Sequence, residues 1–462
     1  MGYSIRHLDA ESKFCQHLSL DALERAVPLG TIQAIVEEHG PQGTRERKLT
    51  PTATVLVVIA MHLFSFCSLE QVLQKIAQGL RFVWSDPDIA LPTASALAYR
   101  RYQLGAKPIV ARYHQVCVPF ATPDTPGAFL FGLRLMALDG TIEDVPDTPE
   151  NARAFGRSEG GRGESGFPQV QGVYLCECGT HAIVDAGFWP VRTSERVGGF
   201  RVLRSVRAGM LVMWDRGFHD FEMVVQVKRR KAHVLGRLPA QVQPQIVRRL
   251  WDGSYLAWLL PSDYHRRKAG ERILVRLVCY TFTDPALAGY EIVHRLITTL
   301  LDPEEAPALE VAAAYHERWE VEITIDEVDT HLRLVGRPLR SLKPVGVIQE
   351  LYGVLIAHYA VRFLMQEAAL QAGIAPDQLS FVHAVRVLQG ALIEFAMVAP
   401  EQREALYNRL LRDIARGRLP KRRARCNPRV VKRKMSKFHL KRPEHDESPQ
   451  PQRPFRESIA LI

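Results

Sequence analysis

The chain has 462 residues, 47% hydrophobic and 24% charged, which is enough to bury a large core in two or three domains and excludes a disordered or fibrous protein. Seven scattered cysteines are not a disulfide framework, the apolar run from Val55 to Cys67 is too short for a membrane span, and the first residues lack a secretory segment. A cytoplasmic protein with reduced thiols and no membrane partner is therefore expected, and its net charge of +10 sits in one place: Arg416 to Arg442 carries 13 Lys or Arg and no acid, leaving the rest at −3.

Residues 1–125 read as a helical region. After KLTP, the stretch from Thr52 to Leu80 fits two packed helices with Pro51 at the start. The segment TASALAYRRYQLGAKPI reads as another, with Thr93 or Ser95 as cap and Gly105 as stop. A Pro- and Gly-rich linker, ATPDTPGA, follows.

FLFGLRLMAL then reads as a buried strand that delivers Asp139 to its end, because Gly140 signals a turn. The next segment, DVPDTPENARAFGRSEGGRGESGF, has too many turn formers for regular structure. Strands are expected at VQGVYLCE and HAIVDAGFWP, where Cys176, Cys178 and His181 form a weak zinc pattern lacking a fourth ligand. A second apolar strand, MLVMW, ends at Asp215, and helices flank it. Strands alternating with helices predict an α/β fold with a mixed sheet. Between Asp215 and Glu322 the chain is longer than one strand–helix–strand unit needs. The β-rich pattern at 236–305 therefore reads as an insertion carrying Trp251 and Trp258.

The segment YHERWEVEITIDEVDTHLR, residues 315–333, places Tyr315, Arg318, Glu322, Asp329 and Arg333 on one helical stripe. That stripe suits either a solvated helix laced with ion pairs or an acid-bearing site. If Asp139, Asp215 and Glu322 converge, they cannot all stay ionised without a cation, and oxygen ligands of that kind suit Mg²⁺ or Mn²⁺. GRPLRSLKP follows as a basic connector with Arg337, Arg340 and Lys343, and then a long helix in which His358 is a core residue. The basic run from Arg416 suits phosphate backbone, and the segment from Pro443 reads as disordered.

These features together resemble the insertion-sequence-4 family of DDE transposases. The family spaces Tyr, Arg, Glu and Lys by gaps of two, three and six residues. Tyr315, Arg318 and Glu322 match, and Asp329 stands where Lys is expected. YHERWEVE, DEVDTHLR, ELYGVLIAHYAVR, LDGTIEDVPDTPENARAFGR and WDRGF also look like the family, as does LTP before the first apolar run.

The resemblance implies a ribonuclease H-like catalytic domain at 126–235 and 306–415, interrupted by the β-rich insertion at 236–305. A helical N-terminal domain at 1–125, serving either recognition of the element's DNA ends or packing and dimerisation, would precede it, and a basic then disordered tail at 416–462 would follow. Asp139, Asp215 and Glu322 would be the catalytic acids and the ligands of two Mg²⁺ or Mn²⁺ ions about 3.5 to 4 Å apart. Tyr315, Arg318, Arg333, Arg337, Arg340, Lys343, Arg100 and Arg101 would bind DNA, with Lys107 as a further phosphate contact.

The implied reaction is cleavage at transposon ends that frees a 3′-OH, which attacks either the opposite strand, giving excision by way of a DNA hairpin, or target DNA. The partners are those DNAs and a second copy of the chain, in a bacterial cytoplasm and on the nucleoid when DNA is bound. A repurposed DNA-binding protein and a nuclease that cuts without joining are the alternatives. Arg333 would substitute for the missing lysine, and Asp329→Lys would improve cleavage.

Overall fold

The computed structural model describes residues 3–8, 13–41, 49–86, 88–160, 163–287, 289–333, 336–420, 430–431, 439–443, 451 and 453–462. Its contacts divide the chain into two units. The first comprises Met1–Ala128, Gly140–Gly198 and Glu320–Leu419; the second comprises Phe129–Asp139, Gly199–Trp319 and Pro420–Ile462.

The first unit begins with α1 (Leu29–His39), α2 (Pro51–Leu63), α3 (Leu69–Val83), α4 (Ala94–Leu104) and α5 (Lys107–Val116). Helix α2 starts where the sequence predicts: the Thr50 side chain accepts from the Ala53 amide, and Pro51, which has no amide hydrogen to leave orphaned, occupies the first turn. Ser68 and Gln71 close a capping box at the start of α3. Helix α4 stops at Gly105, whose φ of 71° costs glycine little.

Every α2 residue from Ala53 to Leu63 is buried, so this helix needs cover on all sides. Much of that cover comes from α11 (Pro344–Ala372), which also packs against α5, α12 (Phe381–Met397) and α13 (Arg403–Ala415). Residues 1–128 therefore share a core with the C-terminal helices rather than folding as the separate domain expected over 1–125. Helix α11 is long and apolar enough to cross a membrane, but 83% of its most apolar window is buried in the protein.

The same unit holds the antiparallel pair β2 (Gln169–Glu177) and β3 (Ala182–Pro190), with β2 beside β1 (Leu133–Asp144). One expectation fails here: PENARAF is α6 (Pro149–Phe155), not a loop. Thr148 caps it by accepting from the Asn151 amide, and Phe155 anchors it in a cluster with Val145, Val170, Leu339, Val347 and Leu351.

In the second unit, β1, β4 (Met210–Trp214) and β5 (His233–Arg237) run parallel. Helix α7 (Glu195–Val202) precedes β4, and α8 (Phe221–Arg229) links β4 to β5. Strands β6 (Gln245–Arg249), β7 (Tyr255–Leu259), β8 (Ile273–Phe282) and β9 (His294–Thr298) lie in the β-rich stretch and pair antiparallel in the order β9-β8-β7-β6. β9 pairs with β5, so this stretch continues the same sheet.

The basic run of the tail falls mostly at 421–429 and 432–438, and much of the segment from Pro443 at 444–450; these lie outside the described residues. The final residues correct the reading of 416–462 as tail throughout. Phe455–Ser458 forms a 3₁₀ turn, and β10 (Ile459–Leu461) pairs with β8, because apolar IAL finds an open strand edge and buries Ile459 there.

Candidate active site

Asp139 and Asp215 stand on neighbouring parallel strands. Ala137 of β1 pairs with Met213 of β4, the last pair of their parallel register; Asp139 lies two residues further along β1, and Asp215 two residues past Met213, directly after β4 ends. Asp215 ends its strand as predicted: its carboxylate accepts the Gly217 amide at 2.8 Å and caps a 3₁₀ turn, Arg216–Phe218. Asp139 does not end its strand, since β1 continues through Gly140 to Asp144. Gly140 serves close approach rather than a turn: a β-carbon there would lie 2.6 Å from the Glu195 carboxylate at the start of α7. Sequence reasoning missed Glu195, whose one signal is a glycine inside a strand.

Arg318 and Tyr315 join the aspartates in the second unit. The Arg318 Nη1 donates to Asp139 Oδ2 at 3.2 Å, and its side chain is almost fully buried. The Tyr315 hydroxyl points inward and donates to the Trp214 carbonyl at 3.4 Å, immediately before Asp215. Tyr315 is 5% exposed, and burial pushes its hydroxyl up to about 12, so it is neutral at pH 7 and engaged with the backbone beside Asp215.

A cavity of about 300 Å³ opens beside this group, lined by Asp215, Arg237, Tyr280, His294, Tyr315 and Arg318 among others. Arg237 donates to His294 Nδ1 at 3.1 Å, and the Tyr280 hydroxyl meets His316 Nε2 at 3.1 Å. Burial pushes His294 down to about 4 and His316 to about 3, so both rings are neutral at pH 7 and the arginines carry the positive charge. None of Arg237, His294 and His316 was foreseen: Arg237 and His294 meet only through the β5–β9 pairing, and His316 reaches them from the turn Tyr315–Arg318.

The segment 315–333 is helical but not one regular helix. Tyr315–Arg318 is a 3₁₀ turn, α10 covers Trp319–Asp326, and Glu327–His331 is a π turn. Tightening and then widening moves the predicted stripe out of register. Glu322 is half-buried on α10 and belongs to the first unit. Within the second unit the predicted three-acid cluster is therefore a pair, and among the described residues no three of His, Cys, Asp and Glu are grouped to hold a metal. Cys176 and Cys178 are buried.

Several predicted DNA contacts have structural partners in the first unit. Arg333 pairs with Glu143 and, at 3.2 Å, with Asp329, so it is no free phosphate cation. Burial alone would lower its charge affinity, but the two carboxylates hold it protonated. Burial, then Glu143, push Asp329 up to about 8. Arg101 is buried, donates to Ser341 Oγ at 3.0 Å and the Gly346 carbonyl at 3.2 Å, and lies 3.7 Å from Glu350. Arg340 is tied to the Ser65 and Cys67 carbonyls. Arg337 and Lys343 are exposed, the latter 5.2 Å from the Tyr102 ring centre, while Arg100 is half-buried and donates to Gln103 at 2.8 Å.

The Asp139 and Asp215 carboxylates are hard oxygen donors of the kind a divalent cation takes, and one Asp139 oxygen already accepts from Arg318.

The family pattern "Insertion element 4 transposase N-terminal" matches residues 17–113, and "Transposase DDE domain" matches residues 130–360. Over 423 residues the chain is 28% identical to the transposase InsG for insertion sequence element IS4 of Escherichia coli strain K12, covering 88% of this chain and 90% of that protein. It is 24% identical to the putative transposase InsZ of the same strain over 147 residues, covering 32% of this chain and 49% of that one. A solved piggyBac transposase synaptic complex with hairpin DNA aligns with 91% of this chain and 88% of its own at 10% identity, but with a TM-score of 0.43 that likeness is too slight to argue from.

Proposed function

This chain belongs to the DDE transposases, enzymes that process DNA, and on that premise we propose that Asp139, Asp215 and Glu322 are the acids with which it cuts the ends of an insertion sequence and joins them to target DNA. The observation that carries this reading is that Asp139 and Asp215 lie toward the same end of two neighbouring parallel strands, with Arg318 3.2 Å from Asp139. The strand order β3-β2-β1-β4-β5, with β1, β4 and β5 parallel, supports the ribonuclease H-like reading of the catalytic fold.

DDE transposases use divalent metal ions. In this chain Asp139 and Asp215, completed by Glu322, would hold them, with two Mg²⁺ or Mn²⁺ ions as the proposed complement. When bound, such ions supply Lewis acidity and an activated attacking oxygen at neutral pH. The protein does the rest. Arg318 binds the scissile phosphate from beside Asp139, where its charge offsets that developing on the phosphoryl oxygens. Tyr315 fixes the Asp215 turn through the Trp214 carbonyl. Arg237 and the neutral His294 and Tyr280 form a wall that accepts a nucleotide without adding negative charge.

Water attack would free a 3′-OH at each end, and that hydroxyl would then attack target DNA, releasing the displaced 3′ oxygen as leaving group. A homodimer holding both ends belongs to this proposal. The test is Mg²⁺-dependent cleavage of linear DNA carrying the element's own flanking ends, comparing the natural chain with Asp215→Asn and Glu322→Gln. Cleavage lost in both variants, with end binding retained, supports the proposal. Tight end-specific binding without cleavage by the natural chain would identify a repurposed DNA-binding protein, and cutting without joining a nuclease.

A further inference from the structure

Helix α3 buries one face and leaves the other open. Val72, Leu73, Ile76, Ala77 and Leu80 are buried, where the helix packs on α2 and α12. Gln74, Lys75, Gln78 and Phe82 are exposed at spacings that keep them on one stripe. The capping box uses the Gln71 side chain, but Gln74, Lys75 and Gln78 have no hydrogen-bond or ion-pair partner among the described residues. At the N-terminal end of the helix, a groove of about 310 Å³ is lined by its cap Ser68 together with Phe66, Arg337 and Arg340. The surface is thus polar and net cationic, with Glu70 the one acid on the helix.

We propose that α3 is the base-reading helix of this transposase, with Gln74 and Gln78 reading adenines from the major groove while Lys75 and Arg337 hold flanking phosphates. The inference rests on the reading of the chain as a transposase that acts on duplex DNA ends. Its physical grounds are separate from the catalytic acids. A 15-residue helix is about 22 Å long, and its roughly 10 to 12 Å diameter matches the major groove. A glutamine amide offers one donor and one acceptor side by side, the complement of adenine N7 and N6. Two such side chains one turn apart, unpaired in the protein, give up no internal bond to make that contact. A surface serving only phosphate attraction would carry Lys and Arg at these positions, since an amide adds no charge. Phe82, 69% exposed at the end of the stripe, has the apolar surface to meet a thymine methyl.

The experiment uses the full chain and a pool of randomised duplex DNA. The natural chain should enrich a motif with adenines at two positions. In Gln74→Ala and in Gln78→Ala, each should lose preference at one of those positions, with binding of the selected duplex weakened roughly 5- to 150-fold. Replacing the matched adenine with 7-deazaadenine, which lacks the N7 acceptor, should weaken the natural chain and leave the corresponding variant unaffected. Lys75→Ala should instead weaken selected and random duplexes alike and reduce the salt slope by about one. Both glutamines are exposed and alanine favours helix, so folding is not at risk. An unchanged motif in both variants, or equal 7-deazaadenine effects in natural and variant chains, would overturn the assignment and leave the transposase reading intact. No duplex binding by the natural chain would overturn both.

Discussion

Arg318 holds Asp139 through a 3.2 Å contact between Nη1 and Oδ2. An arginine committed to a proposed metal-binding acid before substrate arrives keeps that carboxylate from repelling its neighbour Asp215, and it must turn partly toward phosphate during the reaction. Arg318→Ala should therefore lower single-turnover cleavage by about 10²- to 10³-fold while changing end affinity much less. Arg318→Lys should restore only part of the rate, because an ammonium cannot contact carboxylate and phosphate through a planar fork. An equal fall in binding and cleavage would reduce Arg318 to a ground-state DNA contact.

Asp329 and Glu143 share Arg333, and one oxygen of the buried Glu143 carboxylate has no hydrogen-bond partner of its own. A proton on Asp329 satisfies that oxygen and removes the negative charge that a departure from lysine would bring. Asp329 ordinarily titrates near 3.8 and in the folded chain at about 8. Between those values the folded state keeps a proton that the unfolded state releases, so stability falls as pH rises from about 4 to about 8. Asp329→Asn should leave stability unchanged near pH 4 and raise it by roughly a few kcal/mol above pH 8, read by urea denaturation at several pH values. Asp329→Lys should not improve cleavage, contrary to the expectation from sequence, because the new ammonium would face Arg333 with only Glu143 to neutralise both.

The strands carrying Asp139 and Asp215 were legible because buried parallel strands read as short apolar runs, and the helix start at Pro51, the cap at Thr93 and the stop at Gly105 were legible because those residues satisfy local backbone needs. The stripe from 315 to 333 was legible as helix but not as three helix types, since the change in pitch comes from tertiary partners of Glu327 and Tyr315. Arg101, Arg333 and Arg340 show the main limit. An arginine in a basic stretch reads as a phosphate contact until the fold reveals a carboxylate or carbonyl from a segment far along the chain. Residues 455–462 looked like the end of a polar tail, and only the edge of β8 gives their alternation a partner.

Arg101 and Arg337 should separate by assay. Arg101→Ala takes from the buried Glu350 the cation 3.7 Å away, leaving Arg340 as its remaining positive neighbour, and should cost about 3 kcal/mol of stability, seen as a lower denaturation midpoint. DNA affinity per folded molecule should stay near that of the natural chain. Arg337 is exposed, so Arg337→Ala should leave the midpoint alone and lower the salt slope of DNA binding by about one. The opposite pattern would restore Arg101 as a DNA contact.

Glu327 in the π turn is the centre of a buried polar network: Arg362 Nε donates to it at 2.8 Å, His358 Nε2 lies at 3.0 Å and His181 Nδ1 at 3.3 Å. Burial alone would raise its carboxyl, but Arg362 and then His181 outweigh it and hold Glu327 well below the usual range. The carboxylate therefore contributes stability that is present above the unfolded pKa near 4.5 and is lost as pH falls toward the folded value. Arg362→Met keeps most of the side-chain volume but strands the carboxylate. It should cost about 3 to 5 kcal/mol at pH 7 and much less below pH 4, where the carboxyl of the variant is protonated. The double change Arg362→Met with Glu327→Gln should recover part of that loss at pH 7, because it removes the buried charge along with its partner. Thermal denaturation of the natural chain, both single variants and the double variant decides it, and full additivity of the two single losses would show that the pair is not coupled.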